Sequence, residues 1–243
     1  MKKIFGSCPH DVVIDPEKWT AFVGYLKQRK IIDTDFQRFI TFDEFADNFQ
    51  NFSFVYAHPL HAVQLYKVHG FIPLAKYTET YDEAAVISSK SIASPSISKM
   101  HDQKVALVKG TPSHAAILID LSKNYPAVEI DPVTKGTYPD VLMAVSIEEA
   151  QYGIILKSVW DQMISMKERV NHFYTTEIKE LVHVLMINPN QREIAVSVQK
   201  ALLEMHNDPE GRKILARLKC DSFTVFGDRG MEELVKNLAG CVF

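Results

Sequence analysis

Hydrophobic and polar positions along this chain alternate between two periods, short β-branched or aromatic runs and longer stretches with apolar residues three and four apart. The clearest junction is Lys104 to Lys123, KVALVKGTPSHAAILIDLSK. Val105 to Val108 reads as a buried strand, and Gly110 breaks the run. Thr111 and Pro112 resemble an N-cap followed by proline in the first helical position. From Ser113 the spacing is helical, with Ala115, Leu118, Ile119 and Leu121 near one face.

The same alternation predicts the other elements. Lys3 to Cys8 reads as a strand ending at Pro9-His10, and Asp15-Pro16 start a helix with Trp19, Phe22, Val23 and Leu26 inward. Phe36 to Thr41 is a strand, Phe42 to Gln50 a short helix, and Phe52 to Ala57 a strand. His58-Pro59 open the next helix, and Phe71 to Tyr77 is a strand. This β-α-β-α-β-α-β order indicates a mainly parallel sheet covered by helices. A second block runs from about residue 84 to 165. It has strands at Ala84 to Ser89 and Ala127 to Ile130, a helix at Pro139 to Glu149, a strand at Tyr152 to Leu156, and a helix carrying Trp160 and Met163. Residues 166–180 are charged and irregular. Leu181 to Ile187 is again a strand, followed by helices opening at Asn190 and at Asp208-Pro209 and one over Glu232 to Leu238.

Two α/β blocks predict two lobes, joined by segments near 80–85 and 165–180, with a cleft between them. Ligands of open α/β sheets bind beyond the carboxyl ends of the strands. Pro9-His10, His58-Pro59, the Gly110 to Ser113 turn and the region before Tyr138 all fall at such ends. A strand turning through Gly-Thr-Pro-Ser into a helix directs backbone N–H groups and the positive end of the helix dipole outward, which suits an anion. The hydroxyls of Thr111 and Ser113 add two possible donors. The plainer reading is that Thr111 merely caps a helix.

Composition narrows the function class. The 243 residues hold 47% hydrophobic and 23% charged residues, as in an ordinary globular protein. A formal net charge of −3 argues against nucleic acid as partner. No run approaches the ~18 apolar residues of a membrane span. The N-terminus, MKKIFGSCPHD, has no apolar signal region, so the reading is cytosolic as the sequence stands and periplasmic or otherwise extracytoplasmic if a leader has been removed. The three cysteines, Cys8, Cys220 and Cys241, form no metal-ligand spacing and no full disulfide framework.

Cys8, His10, His58, His61 and His114 invite a zinc or copper reading, but their spacing matches no known ligand set, so no metal site and no cofactor are expected. His10 or His114 could instead give a charge-assisted donor to an oxyanion. No esterase elbow, zinc-protease motif, Walker loop or dinucleotide glycine set is present, and no catalytic residue is assigned.

Several stretches resemble the solute-binding proteins of phosphonate, phosphite and phosphate ABC transporters. These are FSFVYAHPLHAVQL (52–65), TYDEAAVISSKSI (80–92), VALVKGTPSHAAILI, VLMAVSIEEAQYGIILKSVWDQM (141–163) and LLEMHNDPEGRKILARLKCDSF. The resemblance implies an α/β type II periplasmic-binding-protein fold: two mainly parallel sheets flanked by helices, with a hinge of two crossing segments. Lobe 1 would comprise residues 1–82 plus 178–243, and lobe 2 residues 83–177. It implies a small anionic ligand and an ABC permease as partners, with contact to a membrane only through that permease or a lost N-terminal anchor. The family's serine-threonine loop falls on Thr111, Pro112 and Ser113, with His114 where glycine is usual, so the middle hydroxyl is lost. The hinge tyrosine falls on Tyr81, and a ligand histidine falls near Tyr138. The ligand set expected is thus Thr111, Ser113, His114, Tyr81, Tyr138, His10 and His58. No acidic residue in 174–184 matches the carboxylate that binds a ligand amino group. A cytosolic sensor or enzyme on the same two-lobed fold, with a changed ligand, is the alternative.

Overall fold

The computed structural model describes residues 3–9 and 15–239, with backbone only at 164–166. His10 and Cys241 therefore lie outside the described residues. The chain forms two compact units. One is the chain up to Thr80 together with Val182–Val235; the other is Tyr81–Leu181 with the segment from Lys236.

The first unit begins β1 (Ile4–Ser7), α1 (Glu17–Gln28), β2 (Asp35–Gln37), α2 (Phe42–Asp47), β3 (Phe52–Ala57), α3 (Pro59–His69) and β4 (Ile72–Tyr77). The second unit follows with β5 (Ala84–Ser89), β6 (Lys104–Leu107), α4 (Pro112–Asn124), β7 (Asp131–Thr134), α5 (Tyr138–Ser146), β8 (Tyr152–Leu156), α6 (Lys157–Trp160) and β9 (Val170–Thr175). The chain then returns for β10 (Val184–Ile187), α7 (Arg192–Glu204), α8 (Pro209–Leu218), β11 (Phe223–Val225) and α9 (Asp228–Leu238).

The sheet of the first unit has the order β11-β4-β10-β3-β1-β2, and that of the second β7-β6-β8-β5-β9. β1 pairs parallel with β2 and β3, whereas β10 runs antiparallel to both its neighbours, β3 and β4. In the second sheet β6 pairs parallel with β7 and β8, and β5 runs antiparallel to β8 and β9. Most strands of each sheet thus point one way. The reversed strands are β5, β10 and the edge strand β11, and of these β5 and β10 are the first laid down after the chain changes unit. At that passage Asp82 N–H donates to the Leu181 carbonyl at 2.9 Å, and Ala84 N–H donates to Thr176 Oγ1 at 2.8 Å.

Period-2 alternation divides the faces. Phe5 packs against Trp19 and Phe22 of α1 at centroid distances of 5.4 and 5.7 Å, in a core shared with Tyr56, Leu74, Val198 and Leu215. Gly6 faces the other way, where an added Cβ would lie 2.6 Å from Phe52. That face holds Phe39, Phe45, Phe49 and Phe52, whose rings meet edge-on or tilted. In the second unit Ala85, Ile87, Ala106 and Ile155 pack with Val141, Leu142 and Val145 of α5.

Several expectations are corrected. The stretch 166–180 contains a strand, β9, whose pattern VNHFYT shows no apolar period because it is an edge strand with one face partly exposed. The short strand expected at Ala127–Ile130 lies instead at Asp131–Thr134, an exposed edge that tolerates Pro132. Of Phe36–Thr41 only the beginning pairs, as β2. Met163 falls beyond the end of α6. Asn190 does not cap α7; Asn188 accepts its N–H at 3.0 Å in a 3-10 turn preceding that helix. β11 had no sequence signal, being three residues at the edge of its sheet.

Candidate functional site

In the second unit residues 108–111 turn the chain from β6 into α4. Gly110 has φ +72°, a left-handed conformation that favours glycine; an added Cβ there would meet nothing, so backbone conformation rather than crowding accounts for the residue. Thr111 is extended at the N-cap position, and Pro112 takes the first helical position, where its missing N–H costs nothing.

The Thr111 hydroxyl does not cap the helix. It donates to the Val108 carbonyl at 2.7 Å and lies 3.1 Å from Ser113 Oγ, which lies 3.2 Å from Tyr138 Oη. A hydroxyl has one proton, so the chain runs in one direction: Tyr138 donates to Ser113, Ser113 to Thr111, and Thr111 to Val108. Thr111 and Ser113 are each 1% exposed, and Tyr138 is 6% exposed. Tyr138 is placed by the start of α5, where Thr137 Oγ1 accepts the Asp140 N–H.

This corrects the expectation of two hydroxyl donors on the loop, because the Thr111 proton is committed to Val108. The plain capping reading fails as well. Thr41, His58, Thr137 and Asp208 each accept a first-turn N–H of their own helices, whereas Thr111 is turned away from α4. The Ser113 N–H, at the second helical position, is one of the groups such a cap would take.

His114 Nδ1 accepts the Gly110 N–H at 3.4 Å. Burial, aided by the charge of Lys109, holds its pKa below the ordinary histidine value. This favours the neutral ring at neutral pH, which weighs against the charge-assisted donor that His114 could have supplied. It also lines an open groove of about 460 Å³ with Leu118, Leu121, Tyr125 and Val128. Neither Thr111, Ser113 nor Tyr138 borders that groove, so it is separate from the hydroxyl chain. Tyr81, the first residue of the second unit, is partly exposed.

In the first unit, His58 is fully buried at the N-cap of α3, where its Nδ1 accepts the His61 N–H at 3.4 Å. Sequence spacing did not reveal that β1 and β3, paired side by side, carry Cys8 to the same helix start. His58 N–H donates to Cys8 Sγ at 3.1 Å, and Cys8 Sγ lies 3.8 Å from His61 Nδ1. Phe42 closes on both imidazoles, edge-on at 5.7 and 6.0 Å. His114 belongs to the other unit.

A family model described as "ABC transporter, phosphonate, periplasmic substrate-binding protein" matches residues 15–229. The chain belongs to this family. No curated protein matches it in sequence. Among solved structures, PhnD1 of Prochlorococcus marinus in complex with methylphosphonate has a TM-score of 0.77 at 14% identity, covering 98% of each chain. The binding protein of a phosphonate ABC transporter of Pseudomonas aeruginosa has a TM-score of 0.76 at 10% identity, covering 97% of this chain and 84% of that one. The periplasmic aliphatic sulphonate binding protein SsuA of Escherichia coli has a TM-score of 0.70 at 10% identity, covering 98% and 79%. At these identities the structural likeness establishes the fold, the type II periplasmic-binding-protein architecture of two sheets flanked by helices.

Membership of the phosphonate-binding family makes the chain a solute-binding protein of ABC transport, with a small ligand and a permease as partners, rather than an enzyme. The family is periplasmic, which gives no support to the cytosolic reading of the N-terminus. Among the described residues no helix is long and apolar enough to cross a membrane.

Proposed function

We propose that this phosphonate-family protein binds a small tetrahedral oxyanion at the start of α4. The observation that carries the reading is the Thr111 hydroxyl, turned from the helix toward Val108, so that the N-cap side chain of α4 leaves the first-turn N–H groups to another acceptor. An anion would take that place on the Ser113 N–H, aided by the helix dipole. Its negative charge would draw the Ser113 and Tyr138 protons out of the hydroxyl chain, giving two charge-assisted bonds. Tyr81, at the start of the same unit, is the tyrosine to which the family resemblance assigns a further contact.

Two departures shape the ligand. Pro112 removes the middle hydroxyl of the family loop, and no carboxylate matches the one that receives a ligand amino group. We therefore favour phosphate, phosphite or a simple alkylphosphonate over an aminoalkylphosphonate, delivered to a membrane permease in the periplasm. Calorimetric titration with phosphate, phosphite, methylphosphonate, sulfate and 2-aminoethylphosphonate tests this. Binding of at least one of the first three, tighter than 2-aminoethylphosphonate, is expected; heat from none of them would overturn the oxyanion reading.

A further inference from the structure

We propose that Cys8, His58 and His61 form a metal site in the first unit, suited to zinc or another borderline divalent cation. One ligand atom from each side chain lies within 4.8 Å of the other two. In a tetrahedral zinc site, bond lengths of about 2.3 Å to sulfur and about 2.0 Å to nitrogen put S and N about 3.5 Å apart. The Cys8 Sγ to His61 Nδ1 distance of 3.8 Å is within a small side-chain adjustment of that.

The Cys8 sulfur already meets a donor at a helix start. Cys8 Sγ accepts the His58 backbone N–H at 3.1 Å and lies at the N-terminus of α3, where amides and the helix dipole stabilise negative charge. Two neutral imidazoles and a thiolate would give three protein ligands and leave a fourth position for water or an anion. Cys8 and His58 are fully buried. Phe45 stacks on His61 at 5.3 Å, and Phe49 and Phe42 meet it edge-on at 5.1 and 6.0 Å. This aromatic wall would shield the ion and hold the His61 ring in place.

The arrangement arises from topology. Gly6 and Cys8 share one face of the first strand by alternation. The register of β1 on β3, with Ser7 opposite Tyr56, then carries Cys8 opposite Ala57, where its sulfur meets the N–H of the next residue, His58. His58 and His61 are three apart at a helix start, so both imidazoles meet that position, with ring centroids 3.8 Å apart.

The site lies within one unit and does not rest on the oxyanion reading. The test is titration of the reduced, chelator-treated full chain with CoCl₂ in buffer free of phosphate, phosphonate and sulfate. One equivalent should produce the d–d bands of tetrahedral cobalt with a thiolate-to-cobalt charge-transfer band, and equimolar Zn²⁺ should bleach both. Cys8→Ser should abolish the charge-transfer band and weaken binding at least tenfold. His61→Ala, at a partly exposed position, should weaken binding similarly while circular dichroism is unchanged. Absence of a stoichiometric spectrum in the wild-type chain would overturn the proposal, as would an undiminished spectrum in Cys8→Ser.

Discussion

The Ser113 hydroxyl lies 3.2 Å from that of Tyr138, joining the first turns of α4 and α5 through two buried side chains. Because Thr111 donates onward to Val108, the three hydroxyls form a directional chain with its last proton on a backbone carbonyl. An anion at the start of α4 would compete for the Ser113 and Tyr138 protons and leave that of Thr111 in place.

Ser113→Ala should therefore weaken oxyanion binding by about 1.5–3 kcal/mol, roughly 10- to 150-fold, the range for hydrogen bonds to charged groups. Tyr138→Phe removes one hydroxyl at the far end and should cost roughly fivefold or more. Calorimetry on both variants checks this. Unchanged affinity in Ser113→Ala would remove Ser113 from the site.

Thr111→Val should act differently. It strips the donor from the Val108 carbonyl and should lower stability by about 1–3 kcal/mol, read as a shift in denaturation midpoint. Affinity should fall less than in Ser113→Ala.

Stability should decline on the acid side partly through His114. Burial holds its pKa below the ordinary histidine value of about 6.5, so the unfolded chain takes up a proton that the folded one resists. This contribution leaves stability intact above that value and erodes it as pH falls below it. His172, lowered chiefly by burial too, acts in the same sense. Melting temperatures from about pH 8 to about pH 5 should fall, and His114→Gln should fall less steeply. An identical slope in the variant would exclude His114 as a contributor.

Two glycine substitutions should have opposite signs. A Cβ at Gly211 would meet the Met205 carbonyl oxygen at 2.1 Å, a backbone atom that cannot swing aside, so Gly211→Ala should destabilise by about 1–3 kcal/mol. Gly24, inside α1, has nothing within 4 Å, and Gly24→Ala should stabilise by about 0.5–1 kcal/mol. Chemical denaturation of both reads the contrast.

Local pattern alone determined much of this protein. Short apolar runs, aromatic or β-branched, placed β3, β5 and β8 at their observed bounds, and Asp208-Pro209 placed the start of α8, because each is governed by neighbours in the chain. The junction at Gly110 to Ser113 was legible for the same reason: a left-handed glycine and a proline at the first helical turn are local backbone requirements. Edge strands β7, β9 and β11 were not, since half-exposed residues carry no strict period. Hydrogen-bond partners were beyond reach too. Whether Thr111 turns toward α4 or toward Val108, and whether Ser113 meets Tyr138, depends on how α4 and α5 pack on one sheet. The gathering of Cys8, His58 and His61 likewise came only from the pairing of β1 with β3, which brings distant residues side by side with no trace in their spacing.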